Sequence, residues 1–238
     1  MKMDEKYPLL PAEEELTDWQ WCIKKAIIDI HAKAMPYKRG SWGGSTEDIY
    51  YDKRRILRKG EGTYCVGCTS EIFFRAWKEF TGDYLETPEG NFTGKEAWEV
   101  ARAFFFAYKD EEIDGMRTDE FGAMGWFKWL ANRPERFDWF ETFTTHDPYE
   151  IQFGDWVSMQ FAEDYSSGHA TVGLGLDKYK GNDVVNVYSS TTYYDKTWMK
   201  EKGVENPYST GNGFDYYRLN VTKNGFKRKF FVSRLVQK

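Results

Sequence analysis

The hydrophobic period of this chain changes along its length, and that change restricts the folds open to it. In "LPAEEELTDWQWCIKKAIIDIHAKA", residues 10–34, Trp19, Cys22, Ile23, Ala26, Ile27, Ile30 and Ala34 recur at spacings of three and four, as in a helix with one apolar face. Thr17-Asp18 offers a cap for a shorter version of the same helix. A second stripe, Ile72, Phe73, Ala76, Trp77 and Phe80, follows Cys68, and segments 94–112 and 118–143 continue the helical period, the later one punctuated by Pro134. The carboxyl half changes to short, partly alternating runs: "GDWVSMQFA", "HATVGLGLD", "DVVNVYSS", "FDYYRLNV" and "FKRKFFVSRL". Gly, Asn and Asp separate them, and Asn224-Gly225 is placed as a hairpin turn. Helices first and an antiparallel sheet later predict an α+β domain. At 238 residues and 41% hydrophobic content, one core and one domain are expected.

Charge and apolar content narrow the partners. A formal net charge of -5 argues against a surface that tracks nucleic-acid phosphates, and the basic run "KRRILRK" at 53–59 reads as a solvated face. No stretch of about 18 apolar residues is present to span a membrane. The opening "MKMDEKYPLLPAEEELTDW" lacks a signal-peptide apolar run and meets acidic residues at once. The expectation is a soluble monomer without nucleic-acid or membrane partners, cytoplasmic or delivered by a non-classical or phage-type route. Aromatic residues make up 18% of the chain, enough to line a groove for peptide or glycan, though most are expected in the core.

Chemistry must be drawn from a short inventory. The cysteines are Cys22, Cys65 and Cys68, and the histidines His31, His146 and His169. Three cysteines are too few for a disulfide scaffold, and no second Cys/His pair at finger spacing completes a zinc site. No metal and no cofactor are therefore expected; zinc held by Cys65, Cys68 and a histidine is the alternative. Cys22 and His31 fall inside the first helical pattern and read as core residues. His146, before a proline, reads as a loop residue and a fallback base. "GEGTYCVGCTSEIFFRAW", residues 61–78, instead sets Cys65 at the mouth of a helix, where unpaired amides and the helix dipole favour a thiolate. Gly67 permits close backbone approach two residues on, and Cys68 lies one turn further along nearly the same face. Upstream, Gly40, Gly43 and Gly44 form a loop in which backbone can come close to a neighbour.

Tyr64-Cys65-Val66-Gly67-Cys68-Thr69 resembles the Cys-small-Gly helix opening of the NlpC-type, papain-like cysteine peptidases. Gly154-Asp155-Trp156-Val157 resembles that superfamily's Gly-Asp-apolar-Val strand, and Gly168-His169-Ala170-Thr171-Val172-Gly173 its histidine-bearing strand. Tyr37 with Trp42-Gly43-Gly44 echoes the loop that often precedes the cysteine. The resemblance covers residues 37–80 and 150–192, with 81–149 as a helical insertion. It departs from the family at Tyr64, where Asp is usual, and in the long gap from cysteine to Gly-Asp. The related CHAP amidases open their helix with Cys-Thr, which nominates Cys68 as the alternative nucleophile.

The resemblance implies a papain-like fold, helices packed on an antiparallel sheet, and a cysteine peptidase or amidase that needs no metal. Its expected substrate is a peptide of the bacterial cell wall, the peptidoglycan. Cys65 would attack the amide carbonyl, and His169 would take the thiol proton and return one to the leaving amine. A polar group on the next strand would orient the imidazole; Asn186, on the face of Tyr188, is the choice, with Ser189 and Ser190 at the strand end. Asp155 reads as a turn residue. The reading of a different class is a catalytically inactive module that holds peptide or glycan on the same scaffold.

Overall fold

The structure, a computed structural model, describes residues 6–38, 44–51, 53–82, 85–87, 90–92, 97–98, 100–102, 112–113, 116–117, 122–134, 139–160, 168–192, 195–204, 211–218, 222–223 and 226–236. In chain order its elements are α1 (Asp18–Lys33), β1 (Ile49–Tyr51), β2 (Arg54–Leu57), α2 (Cys65–Thr81), β3 (Leu85–Thr87), β4 (Gly90–Phe92), β5 (Glu112–Ile113) and β6 (Met116–Arg117). There follow α3 (Gly125–Ala131), β7 (Phe140–Thr145), β8 (Trp156–Gln160), β9 (Gly168–Tyr179), β10 (Asn182–Thr191), α4 (Lys196–Glu201), β11 (Gly211–Arg218), β12 (Thr222–Lys223), β13 (Phe226–Lys227) and β14 (Phe230–Leu235). Residues 97–98 and 100–102 are also helical.

The shorter of the two readings of the first helix is the one that forms. Thr17 Oγ1 accepts from Gln20 N at 3.3 Å while Gln20 Oε1 accepts from Thr17 N at 3.2 Å, a reciprocal cap that satisfies two amide groups at the helix start. Ala34 ends the helix in the left-handed region at φ 49°. The stripe from Trp19 to Ile30 is buried, as are Ile72, Phe73, Ala76 and Trp77 of α2. These two faces pack on each other and on one side of a six-stranded antiparallel sheet of order β11-β10-β9-β8-β14-β7. Trp19 stacks on Trp156 of β8 with ring centroids 5.7 Å apart and meets Trp77 edge-on at 5.5 Å. Trp156 Nε1 donates to Thr69 O at 3.2 Å, so the indole both fills the interface and fixes α2 on the sheet. Most described aromatics are spent on this interior; Trp21, Tyr50 and Tyr149 are exposed.

The sheet's other face carries its own apolar cluster of Ile151, Val157, Met159, Val185, Val187, Phe230 and Val232. With both faces covered, β8 is buried along its whole length. At its entrance Gly154 N donates to Gly173 O at 3.0 Å and Gly173 N to Asp155 O at 2.8 Å. The Gly-Asp and Gly-His segments are thereby tied through backbone. A Cβ on Gly173 would stand 2.7 Å from Gln152 O, so close packing requires glycine there. Asp155 holds the turn: Oδ2 accepts from Gln152 N, and both oxygens accept from Arg234 at 2.8 Å.

Between α2 and β8 the structure corrects the helical reading. Of the expected helix at 118–143, the described part is a 3-10 turn at Gly122–Met124, the seven residues of α3, and then β7. Phe140-Glu-Thr-Phe-Thr-Thr145 is rich in β-branched threonine, and pairing with β14 along the sheet edge outweighs its weak helical period. Segment 81–149 is accordingly no purely helical insertion. It contains the small β3-β4 and β5-β6 pairs and supplies an edge strand to the main sheet. Asn224-Gly225 lies outside the described residues, as do Gly40, Trp42 and Gly43; the strands flanking Asn224-Gly225 pair with Lys223 opposite Phe226.

Candidate functional site around Cys65

Cys65 is the first residue of α2, with Tyr64 extended before it and Cys68 N donating to Tyr64 O at 2.9 Å to close the first helical turn. The approach is clamped by a parallel bridge between Tyr37 and Thr63, with Thr63 N on Pro36 O at 2.9 Å and Lys38 N on Thr63 O at 2.7 Å. A Cβ on Gly67 would stand 2.8 Å from Thr63 Oγ1 and 2.9 Å from Gly44 O. The described end of the glycine loop therefore lies directly on the first turn of α2. The three thiols differ in setting: Cys65 is half-buried, whereas Cys22 and Cys68 are buried. Burial pushes the Cys22 thiol up to about 11 and Cys68 well above the ordinary thiol range.

His169 opens β9 on the far side of the sheet from α2. Its neighbour Ala170 joins Val66 and Thr69 around a small cavity, but its cross-strand partner Met159 belongs to the second-face cluster, so strand alternation turns the imidazole that way. The ring is 8% exposed, and burial together with the Arg228 guanidinium lowers its pKa to about 4. At neutral pH it is uncharged. Cys65 packs against the cluster beneath α2, so the structure sets Cys65 and His169 towards opposite faces of the sheet. On that second face the Arg228 guanidinium stands 4.8 Å from the Tyr217 ring. Burial raises the Asp215 carboxyl to about 7 and pushes the Tyr217 phenol far up. Burial also lowers Arg228, against the pull of Tyr217 and Asp215.

Asn186 is not brought to His169. Its Cα pairs with Gly175, six residues along β9 from His169, a distance of about 20 Å at strand rise. Its Nδ2 donates to Asp177 at 3.3 Å, and Asp177 is ion-paired with Lys202. The His169 end of β9 runs beside the Ser189–Thr191 end of β10, where Ser189 Oγ donates to Ala170 O at 2.7 Å. His146 is exposed, its Nδ1 2.9 Å from Arg228 O. His31 is enclosed by Tyr7, Tyr188 and Phe214.

Sequence reasoning passed over Asp215, Tyr217, Arg228 and Asn212. Asp215 and Tyr217 could have been noticed as a polar pair on one face of "FDYYR". Asn212 pairs with Ser190, whose Oγ donates to Thr63 O at 3.3 Å, two residues before Cys65. Asn212 is 2% exposed, and neither its amide nitrogen nor its oxygen has a hydrogen-bond partner among the described residues. A cavity of ≈570 Å³ on the other flank of α1 and α2, lined by Lys25, Asp29, Glu47 and Arg75 among others, touches neither Cys65 nor His169. Among the described residues no three His, Cys, Asp or Glu side chains gather to hold a metal ion. No family model matches the chain, and no curated protein and no solved structure is significantly similar to it.

Proposed function

We propose that the chain is a cysteine peptidase or amidase of papain-like fold that cleaves an amide bond, with bacterial cell-wall peptides as its substrate class. The observation that carries this reading is the setting of Cys65. It is the half-buried thiol of the three, it heads a helix packed on an antiparallel sheet, and glycine backbone is pressed against that helix's first turn. The first-turn amides of α2 are suited to hold an oxyanion. The resemblance of the Gly-Asp and Gly-His segments supports it, since the two are bonded to each other through Gly154, Asp155 and Gly173. In this reading His169 takes the Cys65 thiol proton, the thiolate attacks the carbonyl, the amine leaves with that proton returned from the imidazole, and water releases the acyl group from sulfur. The step requires the imidazole to come within hydrogen-bond reach of Cys65 Sγ when substrate is bound.

The burial and low basicity of His169 favour the second reading, a catalytically silent module that holds peptide or glycan. Digestion of purified peptidoglycan by wild type and Cys65→Ala, followed by mass analysis, separates the two. New fragments from wild type alone fit the hydrolase; retention on peptidoglycan without fragments fits the module.

A further inference from the structure

Cys65 and Cys68 stand one helical turn apart with opposite exposure. Cys65 is reachable from solvent, whereas Cys68 has no exposed surface. Residues three apart on a helix have Cβ atoms about 5–6 Å from each other, and a disulfide needs roughly 3.5–4.5 Å. Closing that gap takes a movement of about 1–2 Å. The movement falls on Cys65, the half-buried first residue of α2. Cys68 is anchored by its amide on Tyr64 O. An accessible sulfur at a helix amino end followed by a buried one a turn later is the division of labour that thiol–disulfide exchange requires.

We propose that Cys65 and Cys68 form a reversible disulfide by exchange with small-molecule disulfides of the glutathione class, Cys65 attacking and Cys68 resolving. The Cys65 thiolate attacks one sulfur of RSSR, forming Cys65–S–S–R and expelling RS⁻, which takes up the proton that Cys65 released. Cys68 then gives up its proton and attacks Cys65 Sγ, breaking the mixed disulfide and expelling the second RS⁻, which is protonated in turn. Two protein thiols are oxidised by two electrons and RSSR is reduced to two RSH. The high basicity of the buried Cys68 makes the second step the slower one. The site goes beyond the hydrolase reading and does not depend on it, because its test reads sulfur oxidation and not amide cleavage.

The full chain is incubated with oxidised glutathione, blocked with iodoacetamide under denaturing conditions, and digested with trypsin. The expected product is peptide Gly60–Arg75 lighter by two hydrogen atoms, unalkylated, and restored by dithiothreitol. Cys68→Ser is expected to stop at the glutathione adduct on Cys65, and Cys65→Ser to give neither product. The proposal is overturned if wild type carries the same stable adduct as Cys68→Ser, or if both cysteines of the wild-type peptide are alkylated after the incubation. Either result is read from the wild-type protein alone, so a variant that fails to fold does not rescue the idea.

Discussion

At the scale of single residues, burial decides which groups react and which set the pH response. Native protein treated with iodoacetamide near neutral pH should be labelled at Cys65 well before Cys22 or Cys68, because burial pushes both of those thiols up. Equal, slow labelling of all three would remove the reason for choosing Cys65. His169 and Asp215 work against each other. The folded state keeps His169 neutral, so its contribution is complete above pH about 6.5 and is lost as pH falls towards about 4. Asp215 is kept protonated, so its contribution is complete below about 3.8 and is lost as pH rises through about 7. The first amounts to about 3 kcal/mol at most and the second to about 4 kcal/mol at most. His169→Gln should make stability fall with rising pH across this window relative to wild type, and Asp215→Asn should make it rise. Urea midpoints measured across the window would refute the pairing if both variants kept the wild-type slope. Asn212→Leu removes a buried amide without partners among the described residues and should raise stability by about 1 kcal/mol, read as a higher melting temperature.

At the scale of elements, the first turn of α2 depends on a missing side chain. Gly67→Ala would place a methyl group against Gly44 O and Thr63 Oγ1, and a backbone carbonyl next to the bridged Ser45 has little room to give. A loss of about 1–3 kcal/mol is expected, along with slower Cys65 labelling; an unperturbed melting curve would mean that the glycine loop is not tightly seated. Local signals of this kind were legible from residue order. Thr17-Asp18 offered the start of α1 that forms, as the alternative to a helix from residue 10, and the alternation of "DVVNVYSS" announced β10. Longer-range facts were not. The β9-β10 hairpin turns at 180–181, so Asn186 falls opposite Gly175 and not beside His169. Register across a hairpin follows from where its turn lies, and the polar ends of "HATVGLGLDKYKGNDVV" conceal that point. The strand at Phe140–Thr145 was missed because its partner lies some ninety residues later, and the pairing is invisible in any local window.

At the scale of the whole molecule, one charged contact joins the ends of the sheet's assembly. Arg234 on β14 grips Asp155, which is 1% exposed at the entrance to β8. Arg234→Met should cost about 3 kcal/mol by stranding a buried carboxylate, and adding Asp155→Asn should recover part of the loss. A single variant no less stable than wild type in urea would show that the pair is dispensable. The same strand has a further consequence through its position. β14 is the last of the six in the chain yet lies between β8 and β7. During synthesis, β7 through β11 emerge with an empty slot inside the sheet, and one border of β8 keeps its amides and carbonyls unclaimed until residues 230–235 arrive. A ribosome that stalls before them leaves a nascent chain with an adhesive seam, the form in which this protein is most in need of a chaperone.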